Sequence, residues 1–166
     1  MNKTIKHILV FLGLVLLQVL ILNKINILGY VNPYVFPLFI LLFHIDTKGV
    51  TLLLLAFALG FIIDLFNSTL GIHTFAMVCM AYLRPIFISF FRPKSDKVQY
   101  PSLKENDFSW MLFYIFSMLF IHHLVYFFIE AASFTNLLRT LLLVVLSTIM
   151  STFISFLLLF TFKSSK

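Results

Sequence analysis

The chain alternates between long apolar runs and short polar segments, and six of the runs are candidates for membrane-spanning helices. A helix rises ~1.5 Å per residue, so about 20 apolar residues cross the hydrocarbon core of a bilayer. The runs predict helices over residues 5–22, 33–45, 50–66, 72–91, 108–129 and 137–162. One sizeable polar segment, residues 92–107, predicts a loop, and residues 1–166 form a single predicted transmembrane domain.

The second run is the least regular of the six. It is short for a full span, begins after Asn32 at Pro33 and contains Pro37. Proline removes a backbone N–H and breaks the interior of a helix. The sequence therefore leaves three alternatives open, which are a kinked helix, a re-entrant segment, or a helix that extends back through residues 26–32.

The composition favours lipid as the solvent for most of the chain. Hydrophobic residues make up 61% and charged residues 11%, whereas globular domains contain about 45–50% and about 25% respectively. The formal net charge is +6, but the basic residues lie between the apolar runs, which is how membrane topology is encoded. We therefore predict an all-α integral membrane protein, a six-helix bundle that binds the lipid bilayer and no nucleic acid.

The distribution of basic residues predicts the topology. With six spans and a cytoplasmic N-terminus, nine Lys and Arg residues fall inside and two, Lys24 and Arg139, fall outside. Removing the second span would place Lys3 and Lys6 on the opposite side from residues 92–107. The positive-inside rule thus favours six spans of an inner (plasma) membrane, with both termini and the 92–107 loop in the cytoplasm.

Asp64 and Arg84 are ionisable residues within predicted spans, where a charge is costly and needs a reason. Asp64 is either a boundary residue hydrated by the interface or a structural, partner-coupling carboxylate facing the bundle. Arg84 lies deeper, and Pro85 frees the carbonyl of Ala81, which Arg84 can help to satisfy. Asp46, at the inner end of the second run, is a candidate partner for Arg84.

Two further polar groups are candidate sites. The predicted depths of Asp64, His73, Glu130 and Arg139 are similar, so they either form a polar cluster at the outer mouth of the bundle or simply face water at helix ends. The last helix carries a polar seam whose members are Ser147, Thr148, Ser151, Thr152 and Ser155. Positions 148, 151, 152 and 155 follow i, i+3, i+4, i+7 spacing, which places these four side chains on one face. Such a face is a candidate interface, either within this bundle or with a partner's helix.

Signatures of catalysis are absent from the sequence. It contains no glycine-rich phosphate loop, no G-x-S-x-G and no H-E-x-x-H. His122 and His123 lie in the middle of the fifth run, where at most one is expected to face the same way as Tyr126, and no ligand follows at i+4 to complete a metal site. We predict no catalytic residue, no metal and no cofactor.

Several features together resemble one family, the bacterial rod shape-determining protein MreD. They are the lysine-started first helix, the short second run after Asn32-Pro33, Gly60 followed by Asp64, the turn Leu70-Gly71, and Tyr82-Leu83-Arg84-Pro85. The resemblance covers roughly residues 1–160, and its most specific part is 56–85.

The resemblance implies a non-catalytic membrane scaffold in the cell-elongation machinery that builds sidewall peptidoglycan. MreD proteins accompany MreC, a bitopic protein, and work with MreB filaments and the RodA–penicillin-binding-protein synthase. On this reading Gly60, Asp64, Gly71, Arg84 and Pro85 are structural or partner-coupling residues.

The family's six-helix bundle is also similar to the substrate-binding components of energy-coupling-factor vitamin transporters, which supplies an alternative function. Such a component docks on its transporter through an A-x-x-x-A face, whereas the first helix here carries bulky Leu and Val. A membrane-embedded lipid-modifying enzyme ranks last, because no acid/base or metal pair is visible.

Overall fold

The structure, a computed structural model, describes residues 3–25, 31–91, 99–132 and 136–164. Its helices are α1 (Lys3–Leu20), α2 (Leu38–Leu41), α3 (Gly49–Asn67), α4 (Ile72–Phe90), α5 (Phe108–Ala131) and α6 (Leu137–Ser164). All except α2 belong to the five helices that are long and apolar enough to cross a membrane. The chain is therefore an all-helical, multi-pass membrane protein. Residues 92–98 of the predicted loop and residues 26–30 lie outside the described part.

The prediction of a second helix over residues 33–45 is wrong, and the count of six spanning helices is not confirmed. Only the four residues of α2 are helical in this range. The two prolines explain why the helix begins only at Leu38. A residue that precedes proline avoids the α region, so Pro33 and Pro37 each disfavour a helix at the residue before them. Pro37 itself has a helical φ of −59° and directly precedes the first residue of α2.

Residues 31–45 nevertheless run from one end of the bundle to the other, and we call them the crossing segment. They begin near the α3–α4 turn, where Asn23 bonds Asn67 and Gln18 bonds the carbonyl of Pro33. They finish at the opposite end, where the N–H of Ile45 donates to the carbonyl of Gln99 at 2.9 Å. We name these the hairpin end and the loop end of the bundle.

The described ranges pass six times between these two ends, five times as a helix and once as the crossing segment. α1 starts at the loop end, where His7 stacks on Phe43 with ring centroids 5.2 Å apart. α6 finishes there too, because Phe156 and Phe160 pack against Phe108 at the start of α5. Both ends of the described chain thus share one end of the bundle, which is the arrangement expected for six crossings.

The crossing segment fills the centre of the bundle while the long helices present apolar side chains to lipid. Residues 33–41 are all buried. In contrast, Leu54, Phe57 and Leu65 of α3 each expose more than half of their surface. The least covered span is the first one, His7–Lys24, which contains most of α1; 22% of it is buried against 33–44% for the others. Non-helical backbone is tolerated at membrane depth only inside protein, which this burial provides.

Candidate functional site

Asp64 caps the first turn of the following helix. Its Oδ1 accepts from the Thr69 hydroxyl at 2.5 Å and the His73 N–H at 3.0 Å, and its Oδ2 accepts from the N–H and hydroxyl of Thr74 at 2.8 and 2.5 Å. The first N–H groups of a helix have no partner within the helix and favour a carboxylate. Asp64 is only 4% exposed, so it faces the bundle rather than interfacial water.

Gly60 and Gly71 allow this cap to form. Gly60 lies one helical turn before Asp64 on the same face of α3, and a Cβ there would sit 2.5 Å from the Cα of Thr74. No Cβ contact is that short, so a glycine is needed where α3 and α4 cross. Gly71 has a φ of +85°, in the left-handed region that glycine adopts without strain. Gly60, Asp64 and Gly71 therefore stabilise the α3–α4 hairpin together.

Arg84 fastens the loop-end half of the crossing segment. It is completely buried. Its Nε donates to the Tyr114 hydroxyl at 2.9 Å, and its Nη2 donates to the carbonyl of Phe43 at 2.5 Å. The Tyr114 hydroxyl donates in turn to the carbonyl of Leu41 at 2.9 Å. Arg84 and Tyr114 therefore satisfy backbone carbonyls that a continuous helix would have used itself.

Two predictions about Arg84 are corrected by this geometry. Asp46 is not its partner, because Nε donates to Tyr114, Nη2 donates to backbone carbonyls of residues 41–44, and the buried Nη1 has no hydrogen-bond partner. Nor does Arg84 satisfy the carbonyl of Ala81. Pro85 lies inside α4 without ending it, since the helix continues to Phe90.

The polar seam of α6 holds the hairpin-end half of the crossing segment. The N–H of Asn32 donates to Ser147 Oγ at 3.1 Å, and the N–H of Tyr34 donates to Ser151 Oγ at 2.8 Å. Alternate residues of extended backbone are ~6.6 Å apart, and residues four apart on a helix rise ~6.0 Å. The two spacings match, so an extended chain can bond one serine per helical turn.

The rest of the seam is also buried within this chain. Ser151 lies 3.2 Å from Nε2 of His123, whose Nδ1 is 2.7 Å from the carbonyl of Leu119. A proton on Nδ1 satisfies both bonds, with Ser151 donating to Nε2. Thr148 donates to the carbonyl of Val144 at 2.7 Å, whereas the buried hydroxyls of Thr152 and Ser155 have no hydrogen-bond partner. The predicted interface face is thus covered by the chain's own crossing segment and core.

Gln18 is a residue that the sequence analysis missed. It is completely buried in α1. Its Nε2 donates to the carbonyl of Pro33 at 3.0 Å, and its Oε1 accepts from the N–H of Val35 at 3.0 Å. A carboxamide within an otherwise apolar span is the signal that could have identified it, because polar groups in lipid need a partner.

The predicted polar cluster is brought together in two parts, linked by Tyr126. His73 is buried beside Asp64, and its ring stacks on Tyr126 with centroids 4.4 Å apart. The Tyr126 hydroxyl donates to Glu130 at 2.9 Å. Glu130 and Arg139 line a common cavity of about 220 Å³. The four residues therefore lie at one end of the bundle. Asp64 and His73 are buried there, whereas Glu130 and Arg139 line a cavity.

His122 and His123 both point into the core, contrary to the expectation that at most one would face the side of Tyr126. Both are completely buried, and both contact the ring of Tyr34, at centroid distances of 6.0 and 5.5 Å. The crossing segment lies between the helices and so meets adjacent residues of α5. Within the described ranges, no set of three His, Cys, Asp or Glu side chains is placed to hold a metal ion.

No protein-family model, no curated protein sequence and no solved structure matches the chain.

The two classes of serine on α6 should respond differently to alanine. We expect Ser151→Ala to lower the free energy of unfolding by about 1–3 kcal/mol, because it leaves the buried N–H of Tyr34 without an acceptor. Ser155→Ala is the matched control, since its buried hydroxyl has no partner to lose. Thermal unfolding in detergent, followed by circular dichroism, compares the two. Equal losses of stability would contradict the assigned role of Ser151.

Proposed function

We propose that this chain is a non-catalytic membrane scaffold of the bacterial cell-elongation machinery, in the role of an MreD protein. The proposal places it in the inner membrane with both termini in the cytoplasm. One observation supports it most. The residues that carry the resemblance, Gly60, Asp64, Gly71 and Arg84, fasten the α3–α4 hairpin and the crossing segment. Residues of that kind preserve the shape of a bundle, which is what a scaffold needs.

The partner in this proposal is the transmembrane helix of an MreC-like bitopic protein. The polar seam of α6 is occupied by the crossing segment, so a partner helix requires another face. α1 is the least covered span, and it exposes a stripe of large apolar side chains with alternating four- and three-residue spacing, formed by Ile5, Leu9, Leu12 and Leu16. That spacing is typical of helix–helix packing. The MreB filaments and the RodA–penicillin-binding-protein synthase would be reached through this partner.

Affinity purification of the tagged full-length chain in mild detergent, with mass spectrometry, tests the proposal. We expect an MreC-like bitopic protein and cell-wall synthases to be recovered. A photo-crosslinking residue at Leu12 should capture the bitopic protein, whereas one at the equally exposed Leu142 of α6 should not. Asp64→Ala and Arg84→Ala should reduce recovery and rod shape, and Tyr82→Phe, on an exposed side chain, should preserve both.

The alternative function, a substrate-binding component of an energy-coupling-factor transporter, is favoured by one observation. A cavity of about 260 Å³ opens at the hairpin end between Tyr34, Tyr126 and Glu130. Recovery of a paired-ATPase module with its membrane coupling subunit, in place of an MreC-like protein, would contradict the scaffold proposal and support this alternative.

A further inference from the structure

The hairpin end contains a polar cavity that no fastening role accounts for. It has a volume of about 260 Å³, which suits a ligand of on the order of ten non-hydrogen atoms. Its polar lining comes from three carboxamides, two phenols, one aliphatic hydroxyl and one carboxylate, which belong to Asn23, Asn32, Asn67, Tyr34, Tyr126, Thr69 and Glu130. Such a lining is suited to a ligand rich in hydrogen-bonding groups.

Hydrogen bonds behind the cavity hold its amide wall in place. Gln18 donates to Asn23 Oδ1 at 2.8 Å, Asn23 donates to Asn67 Oδ1 at 2.5 Å, and Asn67 Nδ2 lies 3.2 Å from Nε2 of His73. This chain of hydrogen bonds runs from Gln18, which is completely buried in α1, to His73, which is completely buried in α4. Polar groups that are fixed before binding lose less conformational entropy when a ligand arrives.

Unpartnered imidazole nitrogens lie one layer below the cavity. His73 Nδ1 has no hydrogen-bond partner, and neither nitrogen of His122 has one. Both rings are completely buried and contact the ring of Tyr34, which lines the cavity. Because Asn67 donates to Nε2 of His73, the proton of this ring belongs on Nδ1, which leaves a buried donor unmatched. Buried polar atoms of this kind are ordinarily matched by water or a bound molecule.

The charge of the lining selects the ligand class. Glu130 is the one charged side chain among the described residues that line this cavity, and its Oε1 is already oriented by the Tyr126 hydroxyl at 2.9 Å. Arg139 lines the neighbouring cavity on the other side of Glu130. On the side of the hairpin-end cavity the carboxylate faces only neutral hydrogen-bonding groups. That arrangement favours a cation that also carries hydroxyl groups.

We infer that the hairpin-end cavity binds a small hydroxylated organic ammonium, with the ammonium group at Glu130 and the hydroxyl groups at the fixed wall of Asn23 and Asn67. This site is independent of the scaffold role. The same chemistry has two sources, a water-soluble amine and the amine of a lipid headgroup, and the experiment below separates them.

The test uses the full-length protein in dodecyl maltoside, whose headgroup carries no charge. D-glucosamine is compared with D-glucose, which replaces the ammonium by a hydroxyl, by saturation-transfer NMR and titration in mildly acidic buffer. For the soluble source we expect glucosamine to bind about tenfold tighter than glucose. For the lipid source, native mass spectrometry should show that a glucosaminyl diacylglycerol is retained in preference to the glucosyl diacylglycerol, which replaces the ammonium by a hydroxyl.

Glu130→Gln is the deciding variant, and because Glu130 is exposed the change should leave the bundle folded. If either the soluble or the lipid comparison shows a preference for the amine ligand, Glu130→Gln should abolish that preference. Asp107→Asn is the matched control, an exposed acid at the start of α5 at the opposite end, and it should leave the preference intact. Two results would overturn the inference. One is the absence of an amine preference in both arms, and the other is a preference that survives in Glu130→Gln.

Discussion

Gly60→Ala is expected to lower the free energy of unfolding by about 1.5–5 kcal/mol, a large effect for one methyl group. The added Cβ would lie 2.5 Å from the Cα of Thr74, 2.9 Å from its nitrogen and 3.0 Å from the carbonyl oxygen of His73. All three are backbone atoms, so no side chain can move aside. The first turn of α4 must shift, which costs about 1–3 kcal/mol for overpacking and weakens the Asp64 cap, which adds about 0.5–2 kcal/mol.

Gly13→Ala is a matched control within the same chain. Gly13 lies in the interior of α1, and a Cβ there would meet nothing within 4 Å. Alanine is favoured over glycine in a helix by about 0.5–1 kcal/mol, so this variant should be slightly more stable. Thermal unfolding in detergent should therefore move the two midpoints in opposite directions. A Gly60→Ala protein as stable as wild type would show that α3 and α4 do not cross as closely as described.

The long helices could be predicted from the sequence because lipid imposes a simple rule on them. Five predicted ranges lie within two residues of helices in the structure, for example 72–91 against Ile72–Phe90. A backbone in hydrocarbon must satisfy its own hydrogen bonds, and a helix does so locally. Hydropathy along the sequence is then sufficient to locate it.

The crossing segment could not be predicted in the same way because its hydrogen bonds are not local. Its partners Ser147 and Ser151 lie 115 and 117 residues away from Asn32 and Tyr34. An apolar run such as 33–45 has the same composition whether it forms a helix or an extended core strand. The two prolines indicated an irregular segment but left a kinked helix, a re-entrant segment and an extended helix open. The residues that satisfy the non-helical backbone in lipid are distant in sequence, namely Gln18, Arg84, Tyr114, Ser147 and Ser151.

The candidate residues were found more reliably than their partners. Asp64 and Arg84 were selected because charge in a span is costly, and both are buried in the structure. The predicted pairing of Arg84 with Asp46 failed because it assumed a helix over 33–45. A helix would have used the carbonyls of Leu41 and Phe43 internally, whereas the non-helical segment leaves them free to accept from Tyr114 and Arg84.

Asp64 and Arg84 are the two buried charged residues of the described ranges, one towards each end of the bundle, and each charge compensates for backbone groups instead of another charge. Asp64 accepts N–H donors at the start of α4, and Arg84 donates to carbonyls near the end of the crossing segment. A salt bridge between the two would have joined different depths. Separate backbone caps instead fix the hairpin and the crossing segment independently, so the two can be tested by separate substitutions.

Arg84→Ala is expected to lower the free energy of unfolding by about 3–5 kcal/mol. The change leaves the buried carbonyl of Phe43 without its closest donor and removes the donor to the Tyr114 hydroxyl. It also empties the volume of a completely buried arginine. The loop-end half of the crossing segment should loosen first, because it depends most directly on these bonds.

Tyr114→Phe is a milder change in the same hydrogen-bond network. It should lower the free energy of unfolding by about 1–2 kcal/mol, because only the hydroxyl bonds to Leu41 and Arg84 are lost. Tyr82→Phe is its control, since Tyr82 is 62% exposed. The double variant Arg84→Ala/Tyr114→Phe should cost less than the two single losses added together, by about 0.5–3 kcal/mol, because both residues act on one stretch of backbone.

Maleimide labelling of Phe43→Cys, in a Cys79→Ser background, reports whether the crossing segment itself is released. In the otherwise unchanged protein Phe43 is half-buried between His7 and Phe39, so labelling should be slow. Adding Arg84→Ala should accelerate labelling, whereas adding Gly60→Ala, which loosens the hairpin, should have a smaller effect. If both substitutions accelerated labelling equally, the hairpin and the crossing segment would unfold as one unit, and the independent fastening of the two would be wrong.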